Sequence, residues 1–503
     1  MTRQAFAVHA ACIRGVEAEP VTVEVSLSGG IPGITLVGMA DNAVMEARLR
    51  IRCALRAAGF DVPRASITVN LAPGDMRKTG SGFDLPIAVA ILAATGQIPL
   101  NHLDDCLFVG ELALDGAVCP VRGEVAYQIL ARASHLILVS AHAGNHVPLA
   151  EVDHRGVDTM RRLAHGVSTL PPVTSAVSYT EVEQTERLDF SDVVGQESIK
   201  RGLAVAAVGD LGCLMIGAPG SGKTMLARRL PTILPPLSTD ELQEALCVHS
   251  VAGEPIDALL QGEVPFRRPH HSISAAGLVG GGRPVRPGEI SLAHGGVLFL
   301  DELAEFSSHV LQMLRQPMED HEVRIVRADG VYRFPAAFRL LAASNPCPCG
   351  YLGDREVPCT CAPAAVERYR AKLAGPLIDR IDLVLDVHRP DPDVIVKGES
   401  GLDSATLRAM VEAGRAFRSD RVAHERCSFN ADSKAESMAD RFSMTSDAEE
   451  ALLALAHKQH LTGRGMQRLG RIARAVADLA QEALVSATHV MEAALYQGRR
   501  GDQ

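Results

Sequence analysis

The stretch CLMIGAPGSGKTMLARRL, from Cys213 to Leu230, decides the fold. It reads as a short apolar strand, then the pattern G-x-x-x-x-G-K-T, then a helix with apolar spacing. Glycines let backbone N–H groups wrap phosphates, and the positive end of the following helix stabilises the same charge. The pattern predicts that Lys223 neutralises β- and γ-phosphate oxygens and that the Thr224 hydroxyl binds Mg²⁺. The predicted phosphate loop consists of Gly217, Gly220, Ser221, Gly222, Lys223 and Thr224.

Two further apolar runs end in residues that suit ATP hydrolysis. GGVLFLDE ends in Asp301, which is placed to hold the Mg²⁺ water shell, and Glu302, which is placed to polarise the attacking water. FRLLAASNP carries Asn345 at the end of a buried strand, where an amide can sense the γ-phosphate. The alternative for the acidic pair is a plain capping role at a strand end. ATP and Mg²⁺ are therefore the predicted cofactors.

Arginines downstream suggest assembly and sensing. In GPLIDRIDLVL, Arg380 lies between Asp379 and Asp382, which fits either a structural ion-pair node or an arginine finger that reaches a neighbouring subunit's γ-phosphate. The segment LTGRGMQRLGRIAR carries four arginines, Arg464, Arg468, Arg471 and Arg474. Arg464, at the helix start, is the preferred sensor of the same phosphate. A DNA-binding or merely solvated basic face is the alternative.

Composition limits the other possibilities. The 503 residues suffice for two to four domains, and the net charge of -10 excludes a protein coated with positive charge. Aromatic residues make up 4% and Trp is absent, which disfavours aromatic stacking platforms for single strands. No signal peptide or long apolar run is evident, so we expect a soluble, cytoplasmic chain. Of 11 cysteines, Cys347, Cys349, Cys359 and Cys361 cluster, and they suit either structural Zn²⁺ or free, redox-active thiols.

The pattern of elements predicts an α/β protein in four parts. Residues 1–172 alternate strands and helices, and residues 173–189 read as a linker. Residues 190–390 form a second α/β block that holds the phosphate loop. Residues 391–503 are nearly strand-free and should form a helical lid.

The motifs in this order resemble an AAA+ ATPase. The segments FRRPHHSISAAGLVGGG, GGVLFLDELAEF, ASNPCPCGY and GPLIDRIDL together resemble the magnesium-chelatase-like branch, specifically the ComM/YifB family, over essentially the whole chain. The resemblance implies a hexameric DNA translocase or helicase that promotes branch migration in homologous recombination, as during natural transformation. It also implies that Arg268–Ile290 is an insertion in the second helix of the ATPase core that projects into the ring pore.

Two loops in this region are candidates for gripping DNA. Gly280–Gly282 predicts a flexible tip flanked by Arg283 and Arg286, and EVRIVRADGVYRFPAAF predicts a hairpin around an Asp329-Gly330 turn. The hairpin carries Arg324, Arg327 and Arg333. Two basic loops in a pore would bind the phosphate backbone without reading bases, while ordinary surface loops are the alternative. His270 and His271 are interpreted as turn residues.

The first block resembles the proteolytic domain of Lon. DMRKTGSGFDLPIAVAIL and GELALDGAVCPVRGEVAYQILARA carry this resemblance, in which the first segment supplies a nucleophilic Ser and the second an activating Lys. Here Gly82 stands at the Ser position and Val125 at the Lys position, with Ser81 one position away. The resemblance therefore implies a scaffold without protease activity.

Two rival functions remain open on the sequence. The ATPase resemblance alone permits a motor subunit for inserting Mg²⁺ into a porphyrin, although the Lon-like block disfavours it. A protein-remodelling ATPase is disfavoured because the glycine tip lacks the aromatic–apolar pair expected in such pore loops.

Overall fold

The structure, a computed structural model, describes residues 5–144, 146, 147, 149–173, 188–354, 356–373, 377–390, 393, 396, 401–428 and 437–497. The linker predicted for residues 173–189 lies mostly outside these ranges. It stays a prediction, as do the bounds 1–172, 190–390 and 391–503. Within the described ranges, the helices lack the combination of length and apolar character that crossing a bilayer requires.

The first part of the chain folds around a mixed seven-stranded sheet in the order β3-β4-β2-β1-β5-β8-β9. Its long antiparallel pair β1–β2 runs in register from Ala5 opposite Ser26 to Arg14 opposite Glu17. The strands are β1 (Ala5–Arg14), β2 (Glu17–Ser28), β3 (Gly33–Val37), β4 (Ser66–Ala72), β5 (Cys106–Phe108), β8 (Ile137–Ala141) and β9 (His154–Val157), with the small pair β6 (Glu111–Leu112) and β7 (Val118–Cys119) beside them. The helices are α1 (Asn42–Ala57), α2 (Asp84–Ala94) and α3 (Glu124–Ala133). All of α2 is buried, as its unbroken apolar sequence requires.

The second sheet is five-stranded and parallel, in the order β11-β14-β17-β10-β18. Its strands are β10 (Cys213–Ile216), β11 (Phe266–Arg267), β14 (Val297–Leu300), β17 (Arg339–Ser344) and β18 (Leu383–Asp386). The helices of this part are α4 (Glu197–Gly209), α5 (Lys223–Ile233), α6 (Thr239–Ala252), α7 (Asp257–Leu260), α10 (Ser308–Met313), α11 (Arg315–Asp320) and α12 (Pro363–Leu373). Because all strands point the same way, the residues after β10, β14 and β17 meet at one edge.

Two small excursions interrupt this second part. The first contains α8 (Ala275–Val279), the antiparallel pair β12 (Gly280–Gly281) and β13 (Arg286–Pro287), and α9 (Glu289–Leu292). The second is the hairpin of β15 (Glu322–Arg327) and β16 (Gly330–Pro335). Leu278, Val323 and Phe334 belong to one hydrophobic cluster, so both excursions share a base.

The described residues after 401 form helices that cover α4. They are α13 (Ser404–Ser428), α14 (Met438–Phe442), α15 (Ser446–Lys458), α16 (Gly463–Leu479) and α17 (Ala487–Leu495). Leu407 of α13 and Ile472 of α16 share a core with Leu203 of α4. The Asp210 carboxylate, just after α4, accepts hydrogen bonds from Arg339, Arg415 and Arg418 and so connects the sheet to α13.

The two sheets are joined through α3 and α6. Val125 of α3 packs with Leu246 and Cys247 of α6, and the Gly123 N–H donates to the Ser250 carbonyl at 3.1 Å. A second contact involves the β15–β16 hairpin, where Arg14 Nη2 donates to the Asp329 carbonyl at 3.1 Å. The N-terminal part therefore contacts both the helix before the first excursion and the tip of the second.

Candidate nucleotide site and basic loops

The phosphate loop lies at the carboxyl end of β10. This strand sits between β17 and β18, and α5 begins at Lys223, directly after it. Gly222 precedes the helix with a φ of 93°, in the left-handed region that favours glycine. A Cβ atom at Gly217 would lie 2.2 Å from the Val387 carbonyl oxygen, so a side chain does not fit there. The loop thus presents the N-terminus of α5, where phosphate charge is stabilised.

Lys223 is held by neutral oxygens at this edge. Its Nζ donates to the carbonyls of Gly217 at 2.7 Å and Ala218 at 3.0 Å, and to Oδ1 of Asn345 at 3.3 Å. Burial lowers the pKa of Lys223, while Asp301 and Glu302 act in the opposite direction. An anionic phosphate binds an ammonium more strongly than carbonyl oxygens do. The lysine is therefore poised to exchange these partners for phosphate oxygens.

Asp301 and Thr224, which the sequence predicts to hold magnesium, lie within hydrogen-bond distance of each other. The Thr224 hydroxyl donates to Asp301 Oδ2 at 3.0 Å, across the gap between α5 and the end of β14. Adjacent oxygen ligands in an octahedral Mg²⁺ site with 2.0–2.1 Å bonds lie about 2.9 Å apart. The two oxygens therefore fit neighbouring positions of such a site. A third group also reaches Asp301, because Arg268 Nη2 lies 2.7 Å from the same Oδ2.

Glu302 projects from a strained backbone into the open edge of the site. Its φ is 53°, in the left-handed region, and its side chain is 59% exposed. His271 Nδ1 lies 3.7 Å from Glu302 Oε2. The interpretation of both histidines as turn residues fits His270, which bonds Ser272 Oγ at 2.7 Å, whereas His271 faces the carboxylate.

Arg380 lies at the opposite edge of the sheet. It ends a short 3-10 helix, Ile378–Arg380, that leads into β18. Leu383 pairs with Cys213, the first residue of β10, so Arg380 lies near the amino end of β10 and away from its own phosphate loop. Its Nε donates to Glu319 Oε1 at 2.8 Å.

The carboxylate of Asp382, which lies two residues after Arg380 in the sequence, forms an ion pair with Arg471. Arg471 Nη2 lies 2.6 Å from Asp382 Oδ1. Among the described side chains, Arg380 pairs with Glu319, which is 61 residues earlier in the chain, whereas the side chain of Asp379 lies outside the described part. Nothing in the sequence spacing points to that partner.

The arginines of α16 separate into distinct roles. Arg474 is buried and donates to Asp478 Oδ1 and to the Ala483 carbonyl, which makes it a structural residue at the helix end. Arg471 forms an ion pair with Asp382. Arg464 is exposed in the first turn of α16, and no partner for its side chain is seen among the described residues. Its sensor role stays a prediction.

The first basic loop is more ordered than a free glycine tip. Gly280 and Gly281 pair with Pro287 and Arg286, and a Cβ atom at Gly280 would lie 2.6 Å from the Arg286 carbonyl oxygen. The glycines therefore permit close backbone approach in a tight turn, which the sequence alone could not separate from flexibility. Arg283 and Arg286 are both exposed at this turn.

The second basic loop lies against the first. Arg327 Nη2 is 3.6 Å from the position that a Cβ atom would take at Gly281. Arg324 and Arg333 are exposed and directly opposite each other on β15 and β16. Like charges in that position destabilise a hairpin unless a counter-charge is present. Among the described residues, Arg324 has one ion pair, a longer contact of 3.5 Å with Glu322.

The four clustered cysteines converge on one point. The Sγ atoms of Cys347 and Cys349 lie 3.4 Å apart, and Cys359 Sγ lies 3.7 Å and 3.5 Å from them. The Cys361 Sγ accepts a hydrogen bond from the Cys349 N–H and belongs to the same group within 4.8 Å. Thiolates around tetrahedral Zn²⁺ with bonds of about 2.3 Å lie about 3.8 Å apart. The cluster therefore fits a structural zinc ion.

The cysteine loop is packed against the phosphate loop. A Cβ atom at Gly350 would lie 2.6 Å from Pro219 Cδ. Arg389 Nη2 donates to the Pro219 carbonyl at 3.2 Å, and its Nε lies 3.7 Å from Asp354. Hydrogen bonds from the backbone of Tyr351 and Thr360 lower the pKa of Cys349 to about 5, whereas burial and the neighbouring thiols raise the pKa values of Cys359 and Cys361 against a backbone hydrogen bond to each.

The positions that correspond to the Lon catalytic pair have other surroundings. A Cβ atom at Gly82 would lie 3.3 Å from Val109 Cγ1 and 3.7 Å from the Tyr127 hydroxyl. Val125 is buried at the junction with α6. The hydroxyl of Ser81 donates to the Glu111 carboxylate. The Lon-like interpretation of this domain stays a prediction.

Arg268, His271 and Arg389 are the site residues that sequence reasoning missed. Arg268 directly follows the two-residue strand β11, which pairs with β14, and this pairing brings it to Asp301. The available signal was weak, because no spacing pattern connects Arg268 with Asp301, which is 33 residues later. Arg389 lies just after β18, so a strand-end argument like that for Asn345 would have placed it at the same edge.

Comparison with known families covers most of the chain. The family "Magnesium chelatase, subunit ChlI" matches residues 189–394, "Subunit ChlI of Mg-chelatase" matches residues 23–142, and "Magnesium chelatase, subunit ChlI C-terminal" matches residues 401–497. The first match contains the phosphate loop, both basic loops and the cysteine cluster.

Whole-length relatives narrow the family. The protein YifB of Escherichia coli K12 is 39% identical over 97% of this chain and 96% of its own length. Competence protein ComM of Haemophilus influenzae is 38% identical over the same shares of both chains. The magnesium-chelatase 38 kDa subunit of Rhodobacter capsulatus is 30% identical over 31% of this chain and 50% of its own. The family indicates ATPase activity with ATP and Mg²⁺, and the chain belongs to the magnesium-chelatase-like ComM/YifB family.

Proposed function

We propose that this chain is the subunit of a ring-forming, ATP-driven DNA translocase that promotes branch migration of recombination intermediates. The observation that carries the proposal is the proximity of two arginine-bearing loops, with Arg327 next to Gly281. Two arginine-bearing loops side by side are suited to gripping a phosphate backbone.

The ATPase roles follow from the geometry at the sheet edge. Lys223 and the N-terminus of α5 bind the β- and γ-phosphates, and Thr224 and Asp301 hold Mg²⁺. Glu302, exposed and aimed into the open edge, orients and polarises the attacking water. Asn345 lies close enough to Lys223 to detect loss of the γ-phosphate.

The DNA-binding role rests on exposed positive charge on the two loops. Arg283 and Arg286 are exposed, and no ion pair involving them is seen within the described part of the chain. Arg324 and Arg333 oppose each other across the hairpin, an arrangement that a bound phosphate would stabilise. The residues beside Arg283 and Arg286 are glycine, proline and valine, so we expect binding at this loop to be independent of base sequence.

Ring formation is supported by the position of Arg380. Because this residue lies near the amino end of β10, it is remote from its own nucleotide site. In a ring, the same edge would face the site of the adjacent subunit, where a guanidinium can stabilise the transferred phosphoryl group. Arg464 on α16 is proposed to sense the nucleotide within the same subunit. The proposed assembly is a hexamer.

The N-terminal domain is proposed to be a scaffold without protease activity. Arg14 bonds the hairpin tip at Asp329, and Gly15 allows the Arg333 backbone to approach closely. Movement of the hairpin during ATP turnover would therefore be transmitted to this domain through these contacts. The cysteine loop, with zinc bound, is proposed to stiffen the phosphate loop through Gly350 and Arg389.

The cellular role is proposed from a relative's name. The relative from Haemophilus influenzae is named a competence protein, and we propose that this chain acts on DNA during natural transformation. A magnesium-chelatase-type motor is the second candidate, because the family matches carry the description of a chelatase subunit.

A three-strand branch-migration assay tests the proposal. Wild-type protein with ATP should move the branch, and Lys223→Ala should not. Loss of the loop charges in Arg324→Ala/Arg333→Ala should abolish migration and DNA-stimulated ATP turnover while leaving DNA-free turnover unchanged.

The matched control is Arg56→Ala, which removes an exposed arginine from α1. It should migrate branches at the wild-type rate. If DNA fails to stimulate ATP turnover by the wild-type protein, the translocase proposal is wrong and the chelatase-type motor is favoured.

A further inference from the structure

Three side chains from separate elements meet in the N-terminal domain. Glu124 is the first residue of α3, His146 lies in the loop after β8, and His154 is the first residue of β9. His146 and His154 are buried, with 3% and 8% of their surfaces exposed. One ligand atom from each residue lies within 4.8 Å of the others. Nothing in the ATPase or DNA-binding roles uses these residues.

Both histidines aim the same ring nitrogen at one carboxylate. His146 Nδ1 lies 2.9 Å from each Glu124 oxygen, and His154 Nδ1 lies 3.9 Å from Glu124 Oε1. The two rings are nearly perpendicular, at 84°, with their centres 5.3 Å apart. A neutral His146 carries one proton, on Nδ1 or on Nε2, so only one of its two ring nitrogens can donate a hydrogen bond.

The far side of each ring is also held. His146 Nε2 lies 3.0 Å from the His142 carbonyl, which can only accept, so this nitrogen carries a proton. His154 Nε2 lies 2.7 Å from Ser140 Oγ. The Gln128 amide donates to Glu124 Oε1 at 3.0 Å. Metal-binding histidines are typically oriented in this way, with one nitrogen bonded outward and the other directed at the ion.

The distances fit an ion of zinc size. Nitrogen and oxygen ligands around tetrahedral Zn²⁺, with bonds of about 2.0–2.1 Å, lie about 3.3–3.4 Å apart. The observed separations of 2.9 Å and 3.9 Å lie on either side of this value, so small side-chain shifts would complete the geometry. A cavity of about 10 Å³, lined in part by Glu124, Tyr127 and His146, adjoins the group. That space holds about one water, which would be the fourth ligand.

We propose that Glu124, His146 and His154 bind a divalent transition-metal ion of the zinc type, with a water as the fourth ligand. The ion is distinct from the one that fits the cysteine cluster. It is held by nitrogen and oxygen atoms only, which separates the two sites chemically.

A hydrolytic triad is the competing explanation of the same residues. In this explanation Ser140 is the nucleophile, His154 the base and Glu124 the acid that orients it. Ser140 Oγ lies 2.7 Å from His154 Nε2, and His154 Nδ1 lies 3.9 Å from Glu124 Oε1. Ser140 is only 8% exposed, and the adjoining cavity is too small for a peptide or an ester. The metal site is therefore favoured.

The position of the proposed metal site beside the α3–α6 junction indicates a structural role for the ion. Gly123 and Val125 flank Glu124 and contact α6, through the Ser250 carbonyl and the buried junction respectively. Val147, next to His146, packs into the same junction. An ion bound here would fix α3 and the 146–147 segment together against α6. It would therefore set how the N-terminal domain sits on the ATPase core.

Metal analysis of untagged, full-length protein tests the proposal. In Cys359→Ser/Cys361→Ser, which removes the cysteine site, we expect about one equivalent of bound metal per chain. Adding His154→Gln should reduce this to near zero, whereas adding His102→Gln, at an exposed histidine of the same domain, should not. Circular dichroism shows whether each variant is folded.

Cobalt substitution gives a second measurement that does not depend on the histidine variant folding. Co²⁺ bound to the cysteine double variant should show d–d absorption without thiolate-to-cobalt charge transfer. A folded cysteine double variant that binds neither zinc nor cobalt overturns the proposal. So does undiminished metal content in folded His154→Gln. Neither result bears on ATP turnover or branch migration, which are measured separately.

Discussion

The guanidinium of Arg268 lies 2.7 Å from the carboxylate of Asp301, on the oxygen that also accepts from Thr224. Asp301 is one of the two residues predicted to hold Mg²⁺. The guanidinium of Arg268 therefore neutralises part of the negative charge that would attract the ion. Arg268 is 47% exposed, and Asp301 is 18% exposed. The contact is therefore solvated enough to be exchanged, and the arginine and the metal compete for one carboxylate.

Removal of this arginine should make the site easier to load with magnesium. In Arg268→Ala the free Mg²⁺ concentration that gives half-maximal ATP turnover should fall about two- to fivefold, as expected for a partly exposed ion pair. Titration of ATPase activity with Mg²⁺ at fixed ATP measures this. Arg56→Ala should leave the midpoint in place. An unchanged midpoint in Arg268→Ala would show that the contact does not compete with the ion.

Arg380 should act on the neighbouring subunit. Arg380→Ala should bind nucleotide with near wild-type affinity and hydrolyse it about 10³-fold more slowly, the usual loss for an arginine finger. Lys223→Ala should be inactive for a different reason, because it lacks the phosphate ligand. Binding of a fluorescent nucleotide and steady-state turnover distinguish the two defects.

Mixing the two inactive variants tests the subunit assignment directly. In a randomly mixed ring, an intact Lys223 meets an intact Arg380 from its neighbour at about a quarter of the interfaces, so about a quarter of the wild-type turnover should return. A finger acting within its own subunit predicts no recovery at any mixing ratio. Glu319→Gln, which removes the carboxylate that accepts from Arg380 Nε, should retain turnover.

Local sequence was sufficient to predict the residues at the strand ends of the nucleotide site, but not the partners that reach them from distant parts of the chain. The phosphate loop, Asp301 and Asn345 could be placed because each follows an apolar strand, and parallel strands bring their ends together. Arg268 and Glu319 reach their partners only through tertiary packing across 33 and 61 residues. No periodicity or spacing encodes such contacts.

The N-terminal domain shows the same limit more strongly. Its strands and helices could be recognised as an α/β pattern, yet Glu124, His146 and His154 have no spacing typical of a metal motif. They meet because α3, β8 and β9 are neighbours in the folded domain. The glycine tip is a different case, since glycine permits both a flexible loop and a tight turn, and only packing against Arg286 decides between them.

Loss of zinc from the cysteine cluster should weaken nucleotide binding as well as stability. In Cys359→Ser one equivalent of zinc should be lost, and the free energy of unfolding should fall on the order of 3 kcal/mol. Nucleotide affinity should fall because Gly350 packs on Pro219 in the phosphate loop. Zinc content, thermal melting and nucleotide titration measure the three effects. Cys53→Ser, at an exposed cysteine elsewhere, is the control. Equal melting temperatures for Cys359→Ser and the wild type would contradict a structural role.

His294 should make the protein less stable in mild acid. Burial lowers the pKa of His294 from its ordinary value of 6.5 to about 4, although Glu244 Oε2 lies 2.9 Å from its Nε2, and the side chain is only 4% exposed. The unfolded chain therefore takes up this proton first as the pH falls. Stability is lost progressively between pH 6.5 and about 4, with a total for this group on the order of 3 kcal/mol.

A substitution that keeps the hydrogen bond isolates this contribution. The Ala337 N–H donates to His294 Nδ1 at 3.1 Å, and Asn at this position can accept the same bond without titrating. The urea midpoint of the wild type should therefore fall more steeply than that of His294→Asn as the pH is lowered from about 7 to about 4. Other groups that titrate in this range affect both proteins equally, so only the difference between the two curves reports on His294. Parallel curves would mean that this histidine is already protonated, or as easily protonated, in the folded state.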